Sequence, residues 1–204
     1  MLEQIRDIPG QSFDPESYLA DCWPYYHRIT DVFWKLERIQ DFRQPESPSW
    51  VAMTEGDWDR ALRLLGTGSA DIRAHEQDLS FMRRRVRIVE HPVTAYLQWE
   101  MHSLRRRAEE MGEQIRVVPA DAIAHLEARR PLPEVVILGT ETLYEVLYDD
   151  TGLHSGGRRI DDADVIAACR REMAELYDKG EDLLTYFDRE IAPLPAPVQS
   201  VGES

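Results

Sequence analysis

Cysteine is almost missing from this 204-residue chain. Cys22 and Cys169 stand alone and far apart, which excludes a disulfide framework and a Cys-x-x-Cys metal site and leaves two buried free thiols as the expectation. Lysine is equally scarce: Lys35 and Lys179 are the only two, so arginine supplies nearly all of the 24 basic residues. Against 38 acidic residues the net charge is −14, a balance that repels nucleic-acid phosphates, and no direct nucleic-acid contact is expected. No apolar run approaches the ~20 residues needed to cross a bilayer, and the first ten residues lack the basic and apolar regions of a signal peptide. A cytoplasmic location without membrane contact is the expectation. The histidines at 27, 75, 91, 102, 125 and 154 never form His-x-x-x-His, and Glu100 and His102 point about 200° apart on a helix. No metal is expected. There is no Gly-x-Ser-x-Gly elbow, and Gly66-Thr67-Gly68-Ser69 follows a helix and lacks the Gly-Lys-Ser/Thr ending of a phosphate loop, so no cofactor is implied.

What the chain does have is clear periodicity. Asp14-Pro15 is a cap followed by a first-turn proline and opens a helix through Tyr18, Leu19, Cys22 and Tyr26. Phe33 to Phe42 alternates as a strand, and Trp58, Ala61, Leu62 and Leu65 form a short amphipathic stripe. After a further helix with Ile72 and Leu79 inward, strands are expected at Arg84–Val89, Ile115–Val118, Glu134–Leu138 and Leu143–Tyr148, with an edge strand at Gly156–Ile160. Pro92 to Gly112, and Asp161 or Asp162 to Gly180, bracket long helices with continuous apolar faces. Trp99 and His102 lie off the first of those faces and are expected to mark a partner surface. The predicted fold is α+β, a mixed sheet of about five strands covered by helices. Residues 1–82 form a helical, aromatic-rich N-terminal extension packed on it, 83–192 the α+β core, and 193–204 a disordered tail.

Charges recur inside these β-branched runs, and a charge on a covered strand face must be paired or used, because burying it alone costs several kcal/mol. Arg85, Arg87 and Arg116, with Tyr96, Glu100 and Glu145, are the candidate ligand-binding group. Three readings stay open: a structural ion-pair network, an arginine that holds a small anionic ligand in a cleft, or acid–base chemistry by Glu100 or Glu145. No second catalytic group stands at a defined spacing, so no catalytic residue is assigned.

Phe33–Arg38 (FWKLER), Pro48–Trp50 (PSW), Gly56–Leu64 (GDWDRALRL), Arg85–Glu100 (RVRIVEHPVTAYLQWE), Gly112–Val117 (GEQIRV) and Tyr144–Asp149 (YEVLYD) together resemble an actinobacterial family catalogued as domain of unknown function 6879. The resemblance implies no set activity. It implies association with helix-turn-helix regulators, whose sensor portions are in part distantly similar to phospholipase D folds. The catalytic His-x-Lys of those enzymes is absent here, since Phe33 and Tyr177 stand two places before Lys35 and Lys179. The expected function is a non-catalytic regulatory or ligand-sensing protein that binds a small anionic ligand or a protein partner such as a helix-turn-helix regulator. The competing expectation is an enzyme acting on a small anionic metabolite through an arginine clamp with Glu100 or Glu145.

Overall fold

A computed structural model describes residues 1–65 and 80–197. In chain order its strands are β1 (Gln11–Phe13), β2 (Val32–Glu37), β3 (Met82–Val89), β4 (Gln114–Pro119), β5 (Val135–Leu138), β6 (Thr142–Tyr148), β7 (His154–Ile160) and β8 (Glu181–Asp182). Its helices are α1 (Pro15–Tyr26), α2 (Pro48–Thr54), α3 (Trp58–Leu65), α4 (Ala95–Met111), α5 (Ala163–Lys179) and the single turn α6 (Leu183–Tyr186), with short 3-10 segments at Leu2–Asp7 and Ala120–Leu126. The strands make one mixed sheet in the order β1-β7-β6-β5-β2-β3-β4-β8. β2, β3 and β4 run parallel, and every other pairing is antiparallel.

The class is the expected α+β, but the sheet has eight strands where about five were expected. The two at its edges, β1 and β8, are three and two residues long, too short for alternation to register. β1 also covers β7, which was expected at the edge. Val32–Glu37, from the segment read as a helical extension, lies between β5 and β3 in the middle of the sheet. Pro48 is the first residue of α2, and the Ser47 side chain before it accepts from the Trp50 N–H. The helix expected around Ile72 and Leu79, the Gly66–Ser69 loop and the tail beyond 197 lie outside the described residues.

Period-two alternation assigns the sheet two faces. On one, Val32, Trp34, Leu36, Val86, Ile88, Val118, Ile137 and Leu143 pack under α5 and the Leu2–Asp7 turn as a continuous apolar core. The other face carries two separate apolar clusters. α4 and α6 cover Val89, Ile115 and Val117, while α1 covers Val136, Leu138 and Tyr144. α1 can lie this close because β7 is glycine there. A Cβ on Gly157 would stand 2.4 Å from the Tyr18 ring, and Gly156, at φ 132°, would put one against the Phe13 carbonyl. Gly157→Ala should therefore lift α1 and lower stability by about 1–3 kcal/mol in urea unfolding, with the fold retained.

Candidate functional site

Between those two apolar clusters the sheet surface is charged. The β2–β3 register sets Lys35 beside Arg85 and Glu37 beside Arg87, all on the face under α1 and α4. Arg85 donates through Nη1 to Glu37 at 2.6 Å and through Nε to Glu113 at 2.7 Å, while Lys35 lies 2.7 Å from the other Glu37 oxygen. Glu113 reaches Arg85 because Gly112 ends α4 in the left-handed conformation, φ 65°, and turns the chain back onto the sheet; Arg107 of α4 holds its second oxygen. Arg87 is 0% exposed and donates through Nε to Glu100 at 2.8 Å and through Nη1 to the Glu37 and Ile88 carbonyls. Its Nη2 is buried without a partner among the described residues. Tyr96, one turn before Glu100, donates its hydroxyl to that carboxylate and accepts from Gln44.

These contacts sort the carboxylates. Burial opposes ionisation of Glu37 and Glu113, yet Arg85 with Lys35 and Arg87 holds Glu37 well below the usual range, and Arg85 with Arg107 brings Glu113 to about 2. At Glu100 burial and the neighbouring Glu37 outweigh Arg87 and push the carboxyl up. Glu134, at the start of β5, is raised to about 7 by burial and Glu37, although its Oε1 accepts the Arg38 and Ile39 N–H groups at 2.6 Å each.

Of the six residues expected to gather, Arg85, Arg87, Tyr96 and Glu100 share this face, and the register separates the other two from it. Arg116 pairs with Asp182 on β8 and, in parity with Val86, points to the opposite face, where its guanidinium lies 5.4 Å from the Tyr177 ring. Glu145 stands opposite Arg158 on that same far face and binds Arg158 and Arg6 instead of Arg87. Trp99 is corrected as a partner-surface residue: it is 3% exposed under α2, and its indole N–H donates to Ser49 at 2.9 Å. His102 lies between the Trp58 and Phe187 rings.

Beside the charged stripe the sheet surface opens into a cleft of about 270 Å³ under α1. Tyr18, Cys22, Trp23 and Tyr26 of α1 form one wall; Phe33, Lys35, Glu134, Val136, Val146, Tyr148 and His154 form the sheet side. His154 sits at the β6–β7 irregularity, 5.4 Å from the Tyr18 ring and 5.8 Å from Tyr148, and its Nε2 is buried with no hydrogen-bond partner among the described residues. Burial holds the His154 pKa below its ordinary value, so the ring is neutral at pH 7. Burial also pushes the Tyr148 hydroxyl up, with Glu134 and Glu37 adding to it, and raises the Cys22 thiol to about 11. At the mouth, Leu19 and Trp23, one helical turn apart, are 48% and 47% exposed. None of these cleft residues was singled out from the sequence. The available signal was α1 itself, where Tyr18, Cys22 and Tyr26 already fill one stripe and Leu19 and Trp23 make a second that the core does not use.

A larger cleft, about 610 Å³, lies at the carboxyl ends of β3 and β4 among Glu90, His91, Asp121, Glu181, Tyr186 and Arg189. Its arginine is already bound to Glu181 and Glu190, and it has no buried unpartnered polar atom, so it makes the weaker site. Among the described residues no three His, Cys, Asp or Glu side chains gather as a metal ion would need, and no helix is long and apolar enough to cross a membrane.

A charge-crossed α+β sheet with an aromatic cleft is thus the setting for the comparisons with known proteins. The chain belongs to the family described as domain of unknown function DUF6879, whose model matches residues 20–188. No curated protein matches it. Among solved structures it is similar to TrmBL2, an archaeal chromatin protein that shows a novel mode of DNA binding, at a TM-score of 0.45 and 9% identity over 85% of this chain. The chain spans 52% of that protein's length. The expectation that nucleic acid is excluded as a partner is withdrawn in view of this match to a DNA-binding protein. At this level of similarity the match carries no argument about what the present chain binds.

Two measurements check the electrostatics. A carboxyl raised from 4.5 to about 7 destabilises the fold as pH climbs through that window, by on the order of 3 kcal/mol at about 1.4 kcal/mol per pH unit. Glu134→Gln, which keeps an oxygen for the Arg38 and Ile39 N–H groups, should remove that component, so that its stability relative to wild type rises from pH 4.5 to 7.5 in urea titrations. Arg87→Met strands Glu100 and should cost about 3–5 kcal/mol. The double variant Arg87→Met/Glu100→Leu should recover most of the loss if the pair is structural.

Proposed function

We propose that the protein is a non-catalytic ligand-sensing protein whose binding site is the aromatic cleft between α1 and the sheet. The observation that carries this reading is the contrast between the cleft and its surroundings. Arg85 and Arg87 hold carboxylates, with only the Arg87 Nη2 left without a partner, whereas the cleft joins a partnerless buried imidazole nitrogen to five aromatic rings and to Lys35, whose ammonium meets Glu37 and has further N–H donors. Pockets that bind small molecules have this make-up, mostly apolar with a few convergent polar groups. The thiol in the cleft is held protonated by burial, which favours the non-catalytic reading over nucleophilic chemistry at Cys22. The arginine clamp for a small anion has less support, since its guanidinium groups already hold Glu37, Glu113 and Glu100.

Sensing follows from where the cleft lies. A ligand there would touch α1 on one side and β2, β5 and β6 on the other, so it would tie the helix to the sheet. Val146→Trp, which fills the cleft from the sheet side, is expected to abolish retention of small molecules by the purified protein in native mass spectrometry while leaving its circular dichroism unchanged. Retention equal to that of the wild type would overturn the assignment of the site.

A further inference from the structure

Resting on that reading, we infer that the ligand is a planar lactam heteroaromatic of the nucleobase class, stacked against the rings of α1, with its N–H edge on Glu134 and its carbonyl on Lys35. Size sets the first limit. A dry cavity of ~150 Å³ holds a benzene ring, so about 270 Å³ holds one or two fused rings and leaves a pendant sugar outside. Shape sets the second. Tyr18, Trp23, Tyr26, Phe33 and Tyr148 line the cleft, and flat rings stack on flat rings.

Polarity then narrows the class. Lys35 pairs in register with Val136, so Lys35, Val136 and Glu134 share the cleft face of the sheet. Lys35 spends its contact on Glu37 and keeps two further N–H donors. Glu134 spends Oε1 on two backbone N–H groups, and Oε2 makes no hydrogen bond to a described residue. The cleft thus offers a cationic donor beside an acidic acceptor, with the His154 nitrogen between the Tyr18 and Tyr148 rings. A quaternary ammonium would meet the Lys35 charge, a carboxylate would meet Glu134, and a plain hydrocarbon ring would leave all three polar groups unsatisfied. A ring carrying adjacent N–H and C=O groups satisfies both charges at once, as the lactam edge of uracil, hypoxanthine or guanine does.

Affinity should depend on pH with a defined sign. The groups that act on Glu134 are Glu37 from β2, Arg87 from β3, Tyr148 from β6 and the Arg38 and Ile39 N–H groups, with Lys35 and His154 in the same cleft. A ligand N–H needs the ionised carboxylate, so binding is full above pH 7 and falls as pH drops below it. Burial lowers the His154 pKa from its ordinary value.

Calorimetric titration with uridine, inosine and guanosine, with 3-methyluridine, indole and choline as contrasts, tests the inference. The three lactam nucleosides should bind and the contrasts should not. Glu134→Gln, which turns the free acceptor into a donor, should weaken inosine by about tenfold or more and flatten its pH profile between 6 and 8. Trp23→Ala should cost about tenfold without changing that profile. If 3-methyluridine or indole binds as well as inosine and Val146→Trp blocks both, the ligand class is overturned and the cleft reading stands. If nothing in the panel binds, or if binding ignores Val146→Trp, the lactam inference falls; retention of other small molecules by the wild type and its loss in Val146→Trp then decide the cleft reading separately.

Discussion

The Arg85 guanidinium, forked between Glu37 and Glu113, is the contact on which the rest of the charged face depends. An arginine placed on a covered strand is tolerable only when planar donors meet carboxylate oxygens directly, because the loss of water is otherwise uncompensated. Here the partners come from three directions: Glu37 from the next strand, Glu113 from the turn after α4, and Arg107 from α4 itself as a second cation on Glu113. The pair therefore fixes where α4 ends relative to the sheet. Glu37, held ionised by it, in turn anchors Lys35 and adds to the elevation of Glu134.

The two faces of the sheet solve different problems. Under α5 the apolar rows form one core whose burial needs no directional contacts, beside the ion-paired Glu145 and Arg158 on the same face. On the other face the charged stripe divides the apolar cover in two, and α1 and α4 each seal one part. The cleft lies beside the stripe, where α1 stops covering the sheet. Its polar groups are thus a by-product of the same alternation that builds the ion pairs: Glu134 and Lys35 belong to the parity that carries Glu37 and Arg85.

Much of the architecture was legible from residue spacing. Asp14-Pro15, the stripe from Trp58 to Leu65, Gly112 and Asp162 bound their helices as expected, because caps and glycine termini are local chemistry. The four-residue run Val135–Leu138 is buried along its whole length, in keeping with its lack of alternation. What escaped was set by distance. β1 and β8 exist because β7 and β4 offer them an edge, and two or three residues carry no period. The candidate group at Arg85, Arg87, Arg116, Tyr96, Glu100 and Glu145 could be named residue by residue, but strand parity across neighbours, invisible in one dimension, sends Arg116 and Glu145 to the other side. The cleft residues come from α1 and four separate strands, and no spacing rule joins His154 to Tyr18.

The bare backbone at Gly156 and Gly157 has one more effect. Because one side of the Tyr18 ring rests on the bare Gly157 backbone, the approach of helix to sheet at that point is set by main-chain atoms, which have no rotamers to change. Tyr18 also walls the cleft, so the depth of that slot is held from beneath by backbone at one of its ends.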